Sequence, residues 1–121
     1  MAAKARRVRF YTVPGFNDRY KRFLPDDQVE RAMHVFNQAK RNIPPTDLPT
    51  WMKDHKLHGQ LAAFYECHLA NDVLLVYTHE DDVVTLIDCC THIELTGTAV
   101  RIIRRGHRVA IQRARRRHTR H

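Results

Sequence analysis

Tyr65-Glu66-Cys67-His68-Leu69-Ala70-Asn71-Asp72-Val73-Leu74-Leu75-Val76-Tyr77 is the stretch on which the fold turns. Two apolar runs, Leu61–Leu69 and Val73–His79, flank the short polar break Ala70-Asn71-Asp72. β-Branched and aromatic residues on both sides of an Asn-Asp pair predict an antiparallel hairpin. A third run, Val83–Cys90, follows the acidic turn Glu80-Asp81-Asp82, and such short links make a three-strand meander. In the first run Phe64, Glu66 and His68 share one face, because side chains alternate along a strand. The other face, with Leu61, Ala63, Tyr65, Cys67 and Leu69, is the richer in apolar groups.

Upstream, Val8-Arg9-Phe10-Tyr11-Thr12-Val13 reads as a first strand closed by Pro14-Gly15, and residues 16–23 as a short helix. Pro25 suits a first helical position, and Val29, Ala32, Met33, Phe36 and Ala39 then recur at helical spacing to about Lys40. Ile43-Pro44-Pro45 stops that helix, and residues 44–60 form a polar connection. The order of elements predicts one α+β domain, its N-terminal strand and helices packed on a twisted antiparallel sheet. Beyond Gly97 two readings stand: alternation around Arg104-Arg105-Gly106-His107 suits a hairpin, whereas Gln112–Arg117 favours helix. The expected division is a domain over 1–97 and a basic extension over 98–121.

Charge is unevenly placed. Residues 1–22 carry seven Lys/Arg against Asp18 alone, and residues 101–121 carry nine Arg and no acid. The intervening segment is acidic, so the net +8 resides at the two ends. A polyanion such as RNA is one natural partner of such ends, and a solubilising tail is the other reading. No apolar run is long enough to cross a bilayer and the N-terminus lacks an apolar leader core, which predicts a cytoplasmic protein without membrane contact. Cys67, Cys89 and Cys90 lack a disulfide or zinc spacing and read as small buried hydrophobes, so neither metal nor other cofactor is expected.

Cleaving RNA without a metal requires a base for the ribose 2′-OH, an acid for the departing 5′-oxygen and positive charge near the phosphorane. Histidine suits the first two tasks. His55, His68 and His92 stand at element boundaries or strand ends, and Asp72 follows the strand of His68. His34, His107, His118 and His121 read as bystanders, and Trp51 and Tyr77 as either base-stacking or packing residues.

These residues fall in a pattern. Lys53-Asp54-His55-Lys56-Leu57-His58-Gly59, then Tyr65-Glu66-Cys67-His68-Leu69, Asp72, Leu74-Leu75-Val76-Tyr77 and Thr91-His92 together resemble the YafQ-type branch of the RelE/ParE toxin superfamily. The resemblance covers roughly residues 50–95. It implies a toxin of a type II toxin–antitoxin system that cleaves mRNA on the ribosome without a metal and is neutralised by a cognate antitoxin. It implies His55, His68, Asp72 and His92 as the catalytic set: His92 the general acid, Asp72 or His68 acting on the 2′-OH, and His55 at the phosphate. Asp88 stands where the family usually has Arg, and Thr96 where it often has an aromatic residue. A carboxylate beside a phosphorane opposes catalysis, so another cation must substitute, with Lys53, Lys56 and Arg101 as candidates. Arg113, Arg115, Arg116 and Arg117 are expected to bind RNA or ribosome. Two alternatives remain at this level: a toxin of this fold acting only by binding, and a basic nucleic-acid-binding module.

Overall fold

Asn71-Asp72 forms a two-residue turn between β3 (Tyr65–Ala70) and β4 (Val73–Glu80), and Asp81-Asp82 forms another between β4 and β5 (Val83–Cys90). Asp81 takes the left-handed conformation such a turn demands, with φ 53°. The computed structural model describes residues 7–118; within its last helix the side chains of Ala110 and residues 113–118 lie outside that description. The expected meander is therefore present. β3 begins at Tyr65 and not Leu61, because Gly59–Leu61 is taken up by a turn of 3₁₀ helix.

The sheet has five strands in the order β1-β5-β4-β3-β2, where β1 is Arg9–Thr12 and β2 is His55–Lys56. β2 to β5 are antiparallel, but β1 lies parallel to β5, so the sheet is mixed. No tight turn joins β1 to its neighbour; two helices and three strands intervene, which leaves its direction free of hairpin geometry. β2 falls inside the segment expected to be only a connection. Its two residues carry no strand periodicity and pair with β3 through His55↔Glu66 and Lys56↔Tyr65.

The long N-terminal helix, α2 (Asp27–Arg41), follows the short α1 (Phe16–Lys21). Asp26 caps α2, its carboxylate accepting from the backbone N–H groups of Gln28 (2.9 Å) and Val29 (3.2 Å). The stripe Val29, Ala32, Phe36 and Ala39 is buried, with Met33 only partly so. Phe36 meets the ring of Tyr77 edge-on at 4.8 Å, which puts α2 over the face bearing Tyr65 and Tyr77. Tyr77 is 1% exposed and so belongs to the core rather than to any base-stacking surface. Trp51 is half exposed.

The other face is ordered in rows by the strand register. Glu66 pairs with Val76 and Val76 with Asp88; His68 pairs with Leu74 and Leu74 with Cys90. Directly opposed residues share a face, so Glu66, His68 and Asp88 all lie on the side away from Tyr77. α1 sits beside β5 beyond the end of β1, which stops at Thr12 opposite Leu86. There Arg22 Nη2 donates to the Cys89 carbonyl at 2.9 Å, occupying an edge group that no strand reaches.

After β5, a four-residue helix α3 (His92–Leu95) leads into α4 (Thr98–His118). The hairpin reading of this region is thus replaced by a helix. Ala99, Ile103 and Gly106 fall on one helical face and are buried, a spacing that the alternation of Val100, Ile102, Val109 and Ile111 obscures. His107 lies edge-on to Phe64 at 5.0 Å, and Gly106 lies against Ile87 and Val13. α4 therefore covers the Phe64 end of the same face that carries Glu66 and His68. No described helix is long and apolar enough to cross a membrane.

Candidate active site

His92 is the first residue of α3, placed by a reciprocal cap. The Thr91 hydroxyl accepts from Glu94 N–H at 3.3 Å, and the Glu94 carboxylate accepts from Thr91 N–H at 3.0 Å. Arg22 grips both Glu94 oxygens at 2.9 and 3.1 Å, and Arg19 Nη1 stands 3.5 Å away. The Arg22 bonds, chiefly, hold the Glu94 carboxyl down at about 2. The turn that delivers His92 is in this way tied to α1.

Asp72, at the hairpin tip, reaches the same histidine. Its Oδ1 accepts from His92 N–H at 2.9 Å and from His92 Nδ1 at 2.5 Å, and these bonds lower the Asp72 carboxyl, the backbone one most. An acceptor on Nδ1 assigns the proton there and leaves Nε2 as the nitrogen free to exchange a proton with a substrate. Asp72 is thus placed to fix the orientation of the His92 ring.

His68 completes the centre. Its ring lies 5.2 Å from that of His92, and its Nε2 is 3.6 Å from Glu66 Oε1. Burial lowers the His68 pKa below the ordinary value; the Glu66 carboxylate opposes this, while His92, Lys53 and His55 reinforce it. Burial thus favours the neutral imidazole, the form able to accept a proton. His55, on β2 opposite Glu66, brings its Nε2 to 3.8 Å from the same Oε1 and donates Nδ1–H to the Lys53 carbonyl at 2.6 Å. Below this loop Asp54 accepts from the Tyr77 hydroxyl, and Lys40 Nζ lies 3.4 Å from its other oxygen. The loop bearing His55 is therefore anchored to the centre of β4 and the end of α2.

The structure brings all four expected residues, His55, His68, Asp72 and His92, to one site. It adds Glu66, which sequence reasoning placed on the His68 face without giving it a task. The two-residue periodicity was the signal, and what was missing was β2, whose pairing sets His55 against it. Glu66, His68 and His92 offer ligand atoms all within 4.8 Å of one another, so one carboxylate oxygen and two imidazole nitrogens could hold a single borderline-soft cation. Cys67, Cys89 and Cys90 are buried free thiols, and their burial raises each pKa, to about 12 for Cys89.

The cationic candidates separate. Lys53 is exposed and close enough for its charge to act on His68. Lys56 pairs with Tyr65 and so belongs to the opposite face from the histidines. Arg101 is exposed in the first turn of α4. The side chains of Arg113, Arg115, Arg116 and Arg117 lie outside the described residues. Asp88 does not stand open to the groove: its side chain is fully buried, and Arg19 holds both its oxygens through Nε at 2.8 Å and Nη2 at 3.1 Å.

A mixed five-stranded sheet with helices on it, and a histidine-rich centre on one face, defines a RelE-like toxin fold. The chain belongs to the family described as bacterial toxin of type II toxin–antitoxin system, YafQ, which it matches over residues 11–97. Among solved structures it is similar to a metal-bound toxin from Helicobacter pylori, at 30% identity and a TM-score of 0.58 over 73% of this chain and 98% of that one. It is also similar to YafQ from E. coli, at 20% identity and a TM-score of 0.59 over 74% of this chain and 99% of that one. The E. coli DinJ–YafQ toxin–antitoxin complex gives the same identity and TM-score, with 98% of that chain covered. Comparison with curated proteins gave no match.

Proposed function

We propose that the protein is the toxin of a type II pair, an endoribonuclease that cleaves mRNA on the ribosome and is neutralised by a cognate antitoxin. The observation that carries this reading is the pairing of two imidazoles in different environments. His68, whose neutral form burial favours, faces His92, whose Nδ1 is held by Asp72. His68, with Glu66 behind it, accepts the 2′-OH proton. The 2′-oxygen attacks phosphorus, the bond to the 5′-oxygen breaks, and His92, entering the step as the imidazolium with Nδ1–H on Asp72, delivers its Nε2 proton to that leaving oxygen. The products are a 2′,3′-cyclic phosphate and a 5′-hydroxyl end. Side chains supply both proton transfers; Lys53 offers a donor to the phosphoryl oxygens, and His55 does so through Nε2 when its ring is protonated.

A second reading, a toxin acting by binding alone, has one observation in its favour: Arg19 is engaged by Asp88 and adds no free positive charge beside the histidines. Induced expression separates the two. The catalytic reading expects growth arrest with loss of mRNA, cleavage that persists in EDTA, cyclic phosphate ends, and relief by His92→Ala, since a positioned acid contributes about 10²–10⁴-fold. Undiminished toxicity in His92→Ala, His68→Ala and Asp72→Ala alike would instead establish the binder.

A further inference from the structure

α4 is an addition to the matched fold. The family match ends at residue 97, just before the helix begins, and the solved relatives are covered over 98–99% of their own length by only 73–74% of this chain. Such an extension could trail into solvent. Instead it is seated: Ala99 and Ile103 are fully buried, His107 packs on Phe64, and Gly106 lets the backbone approach β5 closely. A Cβ at Gly106 would come within 2.9 Å of Ile87 Cγ2 and 3.4 Å of both Val13 methyls.

Its outward side carries a row of arginines. Arg101, Arg104, Arg105 and Arg108 are all exposed, residues 101–121 contain no acid, and among the described residues none of the four forms an ion pair. At 1.5 Å rise per residue, Arg101 to Arg108 spans roughly 10 Å, about three nucleotide steps of a stacked strand. The helix starts just after α3, which bears His92, and crosses to Phe64, two residues from Glu66 on the same strand face. The helix that carries the four arginines is thus joined at its start to the element of His92 and packed along its length on β5, the strand of Asp88.

We propose that α4 is an RNA-backbone rail, in which Arg101, Arg104, Arg105 and Arg108 bind the phosphates of the single strand whose scissile step lies over His68 and His92. The proposal rests on the endoribonuclease reading for its ligand and deepens it by naming where the strand runs. Phosphate contacts from a docked helix fix register without reading bases. A helix free of the sheet would supply attraction only, whereas one seated through Gly106 holds its charges at constant distance from the reacting atoms.

The test is RNA binding by the full chain carrying His92→Ala, with a fluorescent single-stranded 20-mer titrated between 50 and 200 mM salt. Arg101, Arg104, Arg105 and Arg108 are changed together to Gln, with helicity and thermal midpoint checked on the same protein. At about 0.7 per phosphate contact on single strands, loss of all four should lower the log Kd–log salt slope by about 2.8. An unchanged slope in a folded variant would overturn the rail. So would retained RNA affinity with lost antitoxin binding, which would make this face a protein interface. A wild-type chain that binds RNA with the helix-dependent slope but never cleaves it leaves the rail standing and removes the nuclease reading. His92-dependent cleavage with a slope indifferent to the four arginines does the reverse.

Discussion

Changing Arg19 to Met deprives the Asp88 carboxylate of its partner while keeping most of the apolar volume of the side chain. Asp88 is fully buried and both its oxygens are held by that one guanidinium, whereas Arg19 remains 21% exposed. Removing one member of a buried pair costs roughly 3–5 kcal/mol, because the survivor is left charged and desolvated. Partial solvent access at Arg19 puts this case near the lower end, about 3 kcal/mol, a large share of the total of about 5–15 kcal/mol for a small domain. With a urea slope of about 2 kcal/mol/M, the unfolding midpoint should fall by roughly 1.5 M. The double change Arg19→Met with Asp88→Leu should recover most of that loss, since replacing both partners by apolar groups is often neutral. Asp88→Arg, which reasoning from the bare sequence would offer as a way to raise activity, should destabilise the fold by setting two guanidinium groups together. Chemical denaturation monitored by circular dichroism, run as a double-mutant cycle, measures all of this. An Arg19→Met midpoint equal to wild type, or a double variant no more stable than Arg19→Met, would refute the reasoning.

Gly106→Ala gains about 1 kcal/mol of helix propensity but drives a methyl into Ile87, an overpacking cost of about 1–3 kcal/mol, so the thermal midpoint should fall or at best hold. The Glu94 carboxyl, at about 2 in the folded chain, lies below its ordinary 4.5; its contribution is complete above 4.5 and is lost as pH falls from there toward 2. Arg22→Ala should therefore flatten the acid limb of stability against pH in that window. Because the Glu66 carboxylate raises the His68 pKa against the effect of burial, Glu66→Gln should move the acid limb of kcat/KM to lower pH; a shift upward would contradict the assignment. Tyr77→Phe removes the hydroxyl that donates to Asp54, and should cost about 1 kcal/mol of stability and lower kcat/KM through the His55 loop.

How much of this was readable in the chain depends on whether the signal was local. The meander declared itself because Asn71-Asp72 and Asp81-Asp82 are turn residues between β-rich runs, and α2 because its apolar stripe keeps helical spacing. The histidines were found by their order along the chain. The direction of β1 was not legible, since its partner lies more than seventy residues on and parallel pairing leaves no turn signature. β2 was missed because two residues cannot show a period, and with it went the task of Glu66. Asp88 misled for a similar reason: its type suggested repulsion at a phosphate, but its partner comes from α1, sixty-nine positions away. α4 stayed ambiguous because Gly106 looks like a turn residue and is instead where the helix backbone meets the sheet.

The β3–β4 hairpin tip carries a further consequence. Tips of two-residue turns are ordinarily where a chain tolerates insertions, since little packs on them. Here the tip residue Asp72 is half of the contact that aims the His92 ring, so the length of the turn is itself a functional dimension. Adding one residue between Ala70 and Val73 would leave the core of the sheet intact and withdraw the carboxylate from the histidine. On the proposed mechanism, an insertion in a region that would ordinarily be chosen to splice in a tag or a loop should disarm the toxin while preserving its shape.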